Sequence, residues 1–91
     1  MAPGLRVWLV ERTYSDDEQN LIVLTYATSD GLREYHKERA LPSFTGPPRE
    51  TPVSQVVEPT NLAEVPDPAT RERYAREAAR MAEKHPPDAT L

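Results

Sequence analysis

Residues 21–28 read LIVLTYAT, an apolar and β-branched run interrupted only by hydroxyl-bearing side chains. A run of this length and composition is a central strand, covered on both faces or with its second face only partly open. Such a strand cannot stand alone, so the rest of the chain must supply neighbours in a sheet and a layer over it. The first neighbour precedes it. Residues 5–13, LRVWLVERT, alternate as a strand does, with Leu5, Val7 and Leu9 on one face and Arg6, Trp8, Val10 and Arg12 on the other. Between the two runs lies YSDDEQN, where Ser15, Asp16 and Asp17 bond readily to their own backbone and form a turn.

The stretch after the central run admits two readings. Asp30-Gly31 can be the two-residue turn of a second hairpin, because both residue types accept positive φ. Ser29 then faces Leu32, Thr28 faces Arg33, Ala27 faces Glu34, and Tyr26 faces Tyr35 as a cross-strand aromatic pair. Alternatively, Asp30 caps a helix through Leu41, with Leu32, Tyr35 and Arg39 as a thin stripe among good helix formers. The hairpin is the preferred reading. A strand that turns helical near residues 38–41 is compatible with both.

Residues 42–52 hold four prolines and a glycine and cannot form regular structure over any useful length. Residues 53–58, VSQVVE, read as a short edge strand closed by Pro59, and PTNLAEVP as a linker with one helical turn around Leu62. Residues 67–85 are a helix. Asp67 is its N-cap, Pro68 takes the first helical position, and Arg80, Lys84 and His85 suit the negative end of its dipole before Pro86-Pro87 stops it. Tyr74, Ala78, Met81 and His85 form a narrow stripe, flanked by Ala75 and Ala82, that can lie close against a sheet. Residues 86–91 are a tail.

Ninety-one residues, 37% of them hydrophobic, support one domain with one modest core. The net charge of -4 argues against non-specific nucleic-acid binding, which phosphate neutralisation drives, but leaves room for a local basic patch. With no cysteine, disulfides, thiolate metal sites and cysteine nucleophiles are excluded. The first residues carry too short an apolar stretch for a signal peptide or a membrane span, so a cytoplasmic protein without membrane contact is expected. Three glycines, at positions 4, 31 and 46, cannot write a phosphate-cradling loop or a dinucleotide fingerprint, and no G-x-S-x-G or H-E-x-x-H run occurs. No cofactor, no metal and no catalytic residue is therefore expected, and the chain does not read as an enzyme.

The candidate binding face is Arg33, Tyr35, Lys37 and Arg39, with Phe44 at the start of the proline-rich loop. On a hairpin the first four share a face with Tyr26, combining rings that stack on bases with cations that reach phosphates. The competing reading, and the preferred one, makes Ile22, Leu24, Tyr26 and Tyr35 the inner face under the helix, with the basic side chains snorkelling at its rim. Glu34, His36 and Glu38 share the opposite face, where a solvated charged surface is the preferred reading over a weak proton-transfer or metal site.

The phrases VWLVERTYSDD, YATSDG and DPATRERYAREAARMAEKHPPD together resemble a small family of uncharacterised proteins from halophilic archaea. The likeness spans both ends of the chain but not its proline-rich middle. It implies a stand-alone cytoplasmic α+β domain with no assigned activity, and no functional residue is carried over from it. The expected fold is thus α+β: a three-stranded antiparallel meander over residues 5–41, a short edge strand, and one C-terminal helix packed on one face. The expected role is a non-enzymatic interaction module that binds a protein or itself, with a nucleic-acid-binding accessory as the alternative.

Overall fold

The sheet is built outward from its middle strand. The structure is a computed structural model and describes residues 4–14, 21–40 and 51–91. Strand β2 (Leu21–Ala27) lies between β1 (Leu5–Tyr14) and β3 (Arg33–Ala40). β1 pairs on its far side with β4 (Ser54–Val57), and β3 with the two-residue β5 (Ala63–Glu64), so the order is β4-β1-β2-β3-β5 and every pairing is antiparallel. A 3-10 turn at Pro59–Asn61 and the helix α1 (Pro68–Lys84) complete the described elements. The α+β meander with an edge strand and a closing helix is what the sequence leads one to expect. β5 is an addition, cut from the linker. The polar turn at 15–20 and the proline-rich stretch up to residue 50, Phe44 included, lie outside the described residues.

Both faces of β2 are buried, as its unbroken apolar run requires. On one face Val7, Leu9, Ile22, Leu24, Tyr26 and Val57 form a cluster, with Tyr35 and Leu62 packed against it. On the other, Trp8 and Val53 pack on Ala78 of the helix, and Ala27 and Val65 pack on Tyr74. Each fully buried Leu or Val contributes about 1.5–3 kcal/mol. The helix therefore covers the Trp8–Ala27 face, not the face of Tyr26 and Tyr35 where it was expected. The reason lies in the small residues: Ala27 and Ala78 let the helix approach the strands closely. Met81, which shares a shallow hollow with Leu9 and Val10, touches both layers.

A β-bulge at Val10 corrects the alternation expected for β1. The register runs Leu9↔Tyr26 and then Glu11↔Thr25, so one extra residue is absorbed and every later side chain changes face. Arg12 consequently stands opposite Leu24 on the tyrosine face instead of beside Trp8. Glu11 moves to the helix side, where its carboxylate meets the Arg73 guanidinium at 3.1 Å.

The β2–β3 hairpin keeps the expected register, with Tyr26↔Tyr35 and Ala27↔Glu34, but not the expected turn. Thr28 N–H donates to the Arg33 carbonyl at 3.0 Å, and Gly31 N–H donates back to the Thr28 carbonyl at 2.8 Å. The loop is thus residues 29–32, a turn centred on Ser29 and Asp30 followed by Gly31 at φ 74°. The Asp30 carboxylate closes it, accepting from Thr28 Oγ1 at 2.6 Å and Leu32 N–H at 3.0 Å. Gly31 is required twice over. Its φ is left-handed, and a Cβ there would stand 2.1 Å from the Arg71 carbonyl oxygen on the helix.

The helix begins and ends where its caps dictate. Asp67 accepts from Thr70 N–H at 3.0 Å and from its hydroxyl at 2.8 Å, and Pro68 opens the first turn. His85 closes it through its backbone N–H, which donates to the Met81 carbonyl at 3.0 Å. The last residues do not trail as a tail. Val53 N–H donates to Ala89, Leu91 N–H donates to Thr51, and Pro52 bridges Thr90.

Candidate functional site

β3 presents the expected candidate residues on one face. Arg33 and Lys37 are exposed, Tyr35 is half-buried, and Arg39 stands at the register position opposite Ile22. Tyr35 lies against Tyr26, with ring centroids 6.4 Å apart and planes tilted 46°. Tyr26 itself is 0% exposed, and its hydroxyl donates to the Pro52 carbonyl at 2.7 Å. Of the tyrosine pair, then, only Tyr35 can meet a ligand; Tyr26 is core. The bulge adds Arg12 to this face, a member that strict alternation could not have found.

From the bulge onward in β1 and along β3, charge is sorted between the faces, whereas Arg6, before the bulge, stands on the helix side with Trp8. Arg12, Arg33 and Lys37 stand on the tyrosine side, while Glu11, Glu34 and Glu38 stand on the helix side by register. His36 Nε2 lies 2.7 Å from Glu34 Oε1, both lining an open hollow of about 570 Å³ with Tyr35, Asn61 and Ala63. Glu11 and Glu34 have an effect on the core: together with burial, which is the larger cause, they push the Tyr74 hydroxyl above its ordinary value. The Arg73 guanidinium, 5.2 Å over the Tyr74 ring, partly offsets them. Among the described residues no three His, Cys, Asp or Glu side chains gather as a metal site, and no helix is long and apolar enough to cross a membrane.

The sheet edges form a second candidate surface. Val65 N–H donates to the Leu32 carbonyl, so by antiparallel alternation β3 directs the backbone groups of residues 32 and 34 at β5. Beyond β5 the same alternation turns His36 and Glu38 toward the open edge. At the opposite edge Leu9 N–H donates to the Val53 carbonyl, so Gln55 and Val57 bond inward to β1, while the backbone of Ser54 and Val56 is turned outward, Ser54 being 5% exposed and Val56 the open position. Val56 is 57% exposed. Beside it, Arg6 donates to Ser54 Oγ at 2.7 Å, and Glu58 continues the strand in extended conformation, φ -63° and ψ 139°. The signal for this edge was present in VSQVVE, which carries no charge before Glu58. What was missing was which side of the strand would stay unpaired.

The fold and these surfaces define a class: a small α+β domain whose open antiparallel sheet is covered on one face by a single C-terminal helix. Within that class, the chain belongs to the family of unknown function DUF7967, which matches residues 1–91. No curated protein and no solved structure matches it.

Proposed function

We propose that this chain is a non-enzymatic interaction module that binds a protein partner by adding a strand to the open edge of β4. One observation carries the reading: Val56 is 57% exposed on a strand whose register turns its backbone N–H and C=O outward, and among the described residues no further strand pairs with it there. Unpaired edges of this kind template a further strand, with backbone bonds giving affinity and alternate side chains giving specificity. The test is selection from a random extended-peptide library on the immobilised chain and on its Val56→Lys variant. Peptides rich in β-branched residues should be enriched on the first and lost on the second. Equal enrichment on both would sink the reading.

A second reading is favoured by the sorting of charge across the sheet. Arg12, Arg33, Lys37 and the half-exposed ring of Tyr35 share the side away from the acidic residues, an arrangement suited to single-stranded nucleic acid. Titration with single-stranded RNA at low salt, followed by tyrosine fluorescence, tests it. Binding that survives Tyr35→Ala unchanged would remove the stacking role.

A further inference from the structure

We infer that the partner for the β4 edge is a second copy of the same chain, paired antiparallel about a two-fold axis that passes beside Val56. This inference rests on the proposed reading of β4 as a docking edge. It follows from what the outward positions carry. A two-fold antiparallel pairing of β4 with itself, centred on Val56, sets Val56 opposite Val56 and Ser54 opposite Glu58 on each side of the axis.

The exposed groups of this edge, Val56, Arg6 and Glu58, then meet complements. The two exposed valines cover each other and exchange their N–H and C=O groups as a bonded pair. Ser54, 5% exposed beneath Arg6, lies behind this contact, and the Glu58 carbonyl stays with Asn61 N–H, its acceptor role in the 3-10 turn. The Glu58 carboxylate comes beside the second copy's Ser54, and so beside the Arg6 guanidinium that holds Ser54 at 2.7 Å. Within one copy neither Arg6 nor Glu58 has an ion pair among the described residues. The pairing supplies two, one on each side of the axis.

Self-complementarity of this kind is what a two-fold interface demands, since each residue must suit its counterpart in the other copy. A heterologous strand needs only an apolar position at Val56; nothing in it requires Arg6 and Glu58 to flank that position with opposite signs. The edge is short, so the contact falls below the ~1,200 Å² of stable complexes and the dimer is concentration-dependent. Its product is a single continuous sheet running through both copies.

The chain has no cysteine, so a single engineered thiol reads the geometry cleanly. In a bonded antiparallel pair the facing Cα atoms lie about 5.5 Å apart, within disulfide reach. Val56→Cys in the full chain is expected to form a covalent dimer under mild oxidation on the order of tenfold faster than Lys37→Cys on the charged edge. Glu58→Arg should abolish the concentration-dependent rise in mass seen by light scattering, and Arg6→Glu combined with Glu58→Arg should restore it. Circular dichroism melting of each variant checks that the fold is kept. Equal cross-linking rates for the two cysteines, or a chain that stays monomeric to millimolar concentration, would overturn the inference. If such a monomeric chain still selects peptides through Val56, the docking edge stands and only the identity of its occupant is wrong.

Discussion

Beyond β5, the β3 edge turns the backbone of His36 and Glu38 to solvent, with Lys37 between them, while the β4 edge turns out Ser54 and Val56. Both are open edges of one sheet, and they are managed in opposite ways. Charged side chains along β3 make strand addition costly, because an incoming strand would have to desolvate or match each of them. Among the described residues β4 itself carries no charge before Glu58, and only Arg6 reaches it from the neighbouring strand. The difference teaches how a small open sheet can associate without growing into a fibre. With the β4 pairing proposed above, the permissive edge would close on a second copy and the guarded edge would end the assembly.

The comparison depends first on β3 being held in place, and Gly31 holds it. The turn that delivers β3 is wedged against the helix at Arg71 and Ala75, with no room for a Cβ. Gly31→Ala should cost about 2–4 kcal/mol, from left-handed strain plus displacement of the helix backbone. Gly31→Asn separates these causes. Asparagine tolerates the positive φ but still carries a Cβ, so it should be nearly as damaging in a urea or thermal melt. A mild Asn variant beside a damaging Ala variant would show that the close approach to the helix matters little.

The guards themselves come next. Replacing them together (His36→Thr, Lys37→Val and Glu38→Thr) should leave the fold intact but raise the aggregation rate on the order of tenfold, measured by light-scattering growth at fixed concentration. Adding Val56→Lys to that triple variant should cap the growth at a finite size, because only one permissive edge then remains. A triple variant as soluble as the parent would mean that the charge along β3 is incidental.

Much of this was legible in the sequence, for reasons that can be named. LIVLTYAT signalled a central strand, covered on both faces or with the second only partly open, because the run is short, apolar and rich in β-branched residues. The register through Tyr26 and Tyr35 followed from Asp30 and Gly31 even though the turn itself proved longer, since a two-residue loop at 30–31 and a four-residue loop at 29–32 preserve the same pairing. The helix limits were set by Asp67, Pro68 and Pro86. What stayed hidden was tertiary. The bulge at Val10 has no glycine to mark it, so Arg12 was assigned to the wrong face. The helix was placed over the tyrosines because Ile22 and Leu24 share that face with Tyr26, yet its own stripe of Tyr74 and Ala78 fits the Trp8 and Ala27 side. The return of residues 89–91 to Thr51 and Val53 is made by backbone bonds, with Ala89 packed beside Trp8 and Val53, and neither a backbone bond nor a lone alanine leaves a clear trace in side-chain pattern.

The smallest effect concerns the acid limit of the guarded edge. Asp30 closes the turn that leads into β3, and the Thr28 hydroxyl, then the Leu32 N–H, hold its carboxyl below the ordinary carboxylate value. A carboxyl whose pKa is lowered by folding stabilises the fold fully above its unfolded value, and that contribution is lost as pH falls through the folded one. The loss therefore belongs below about pH 4, where free aspartate begins to protonate. Solvent screens this largely open group, so the contribution is on the order of a few tenths of a kcal/mol. Asp30→Asn keeps an oxygen that accepts from Thr28 and Leu32 but removes the charge, so it isolates the titration from the turn geometry. Urea midpoints for parent and variant should differ at pH 7 and converge between pH 4 and pH 2, at the expense of the parent. Curves that run parallel across that window would show that the Thr28 and Leu32 bonds hold the turn without help from the carboxylate charge, leaving the β3 edge insensitive to acid at this position.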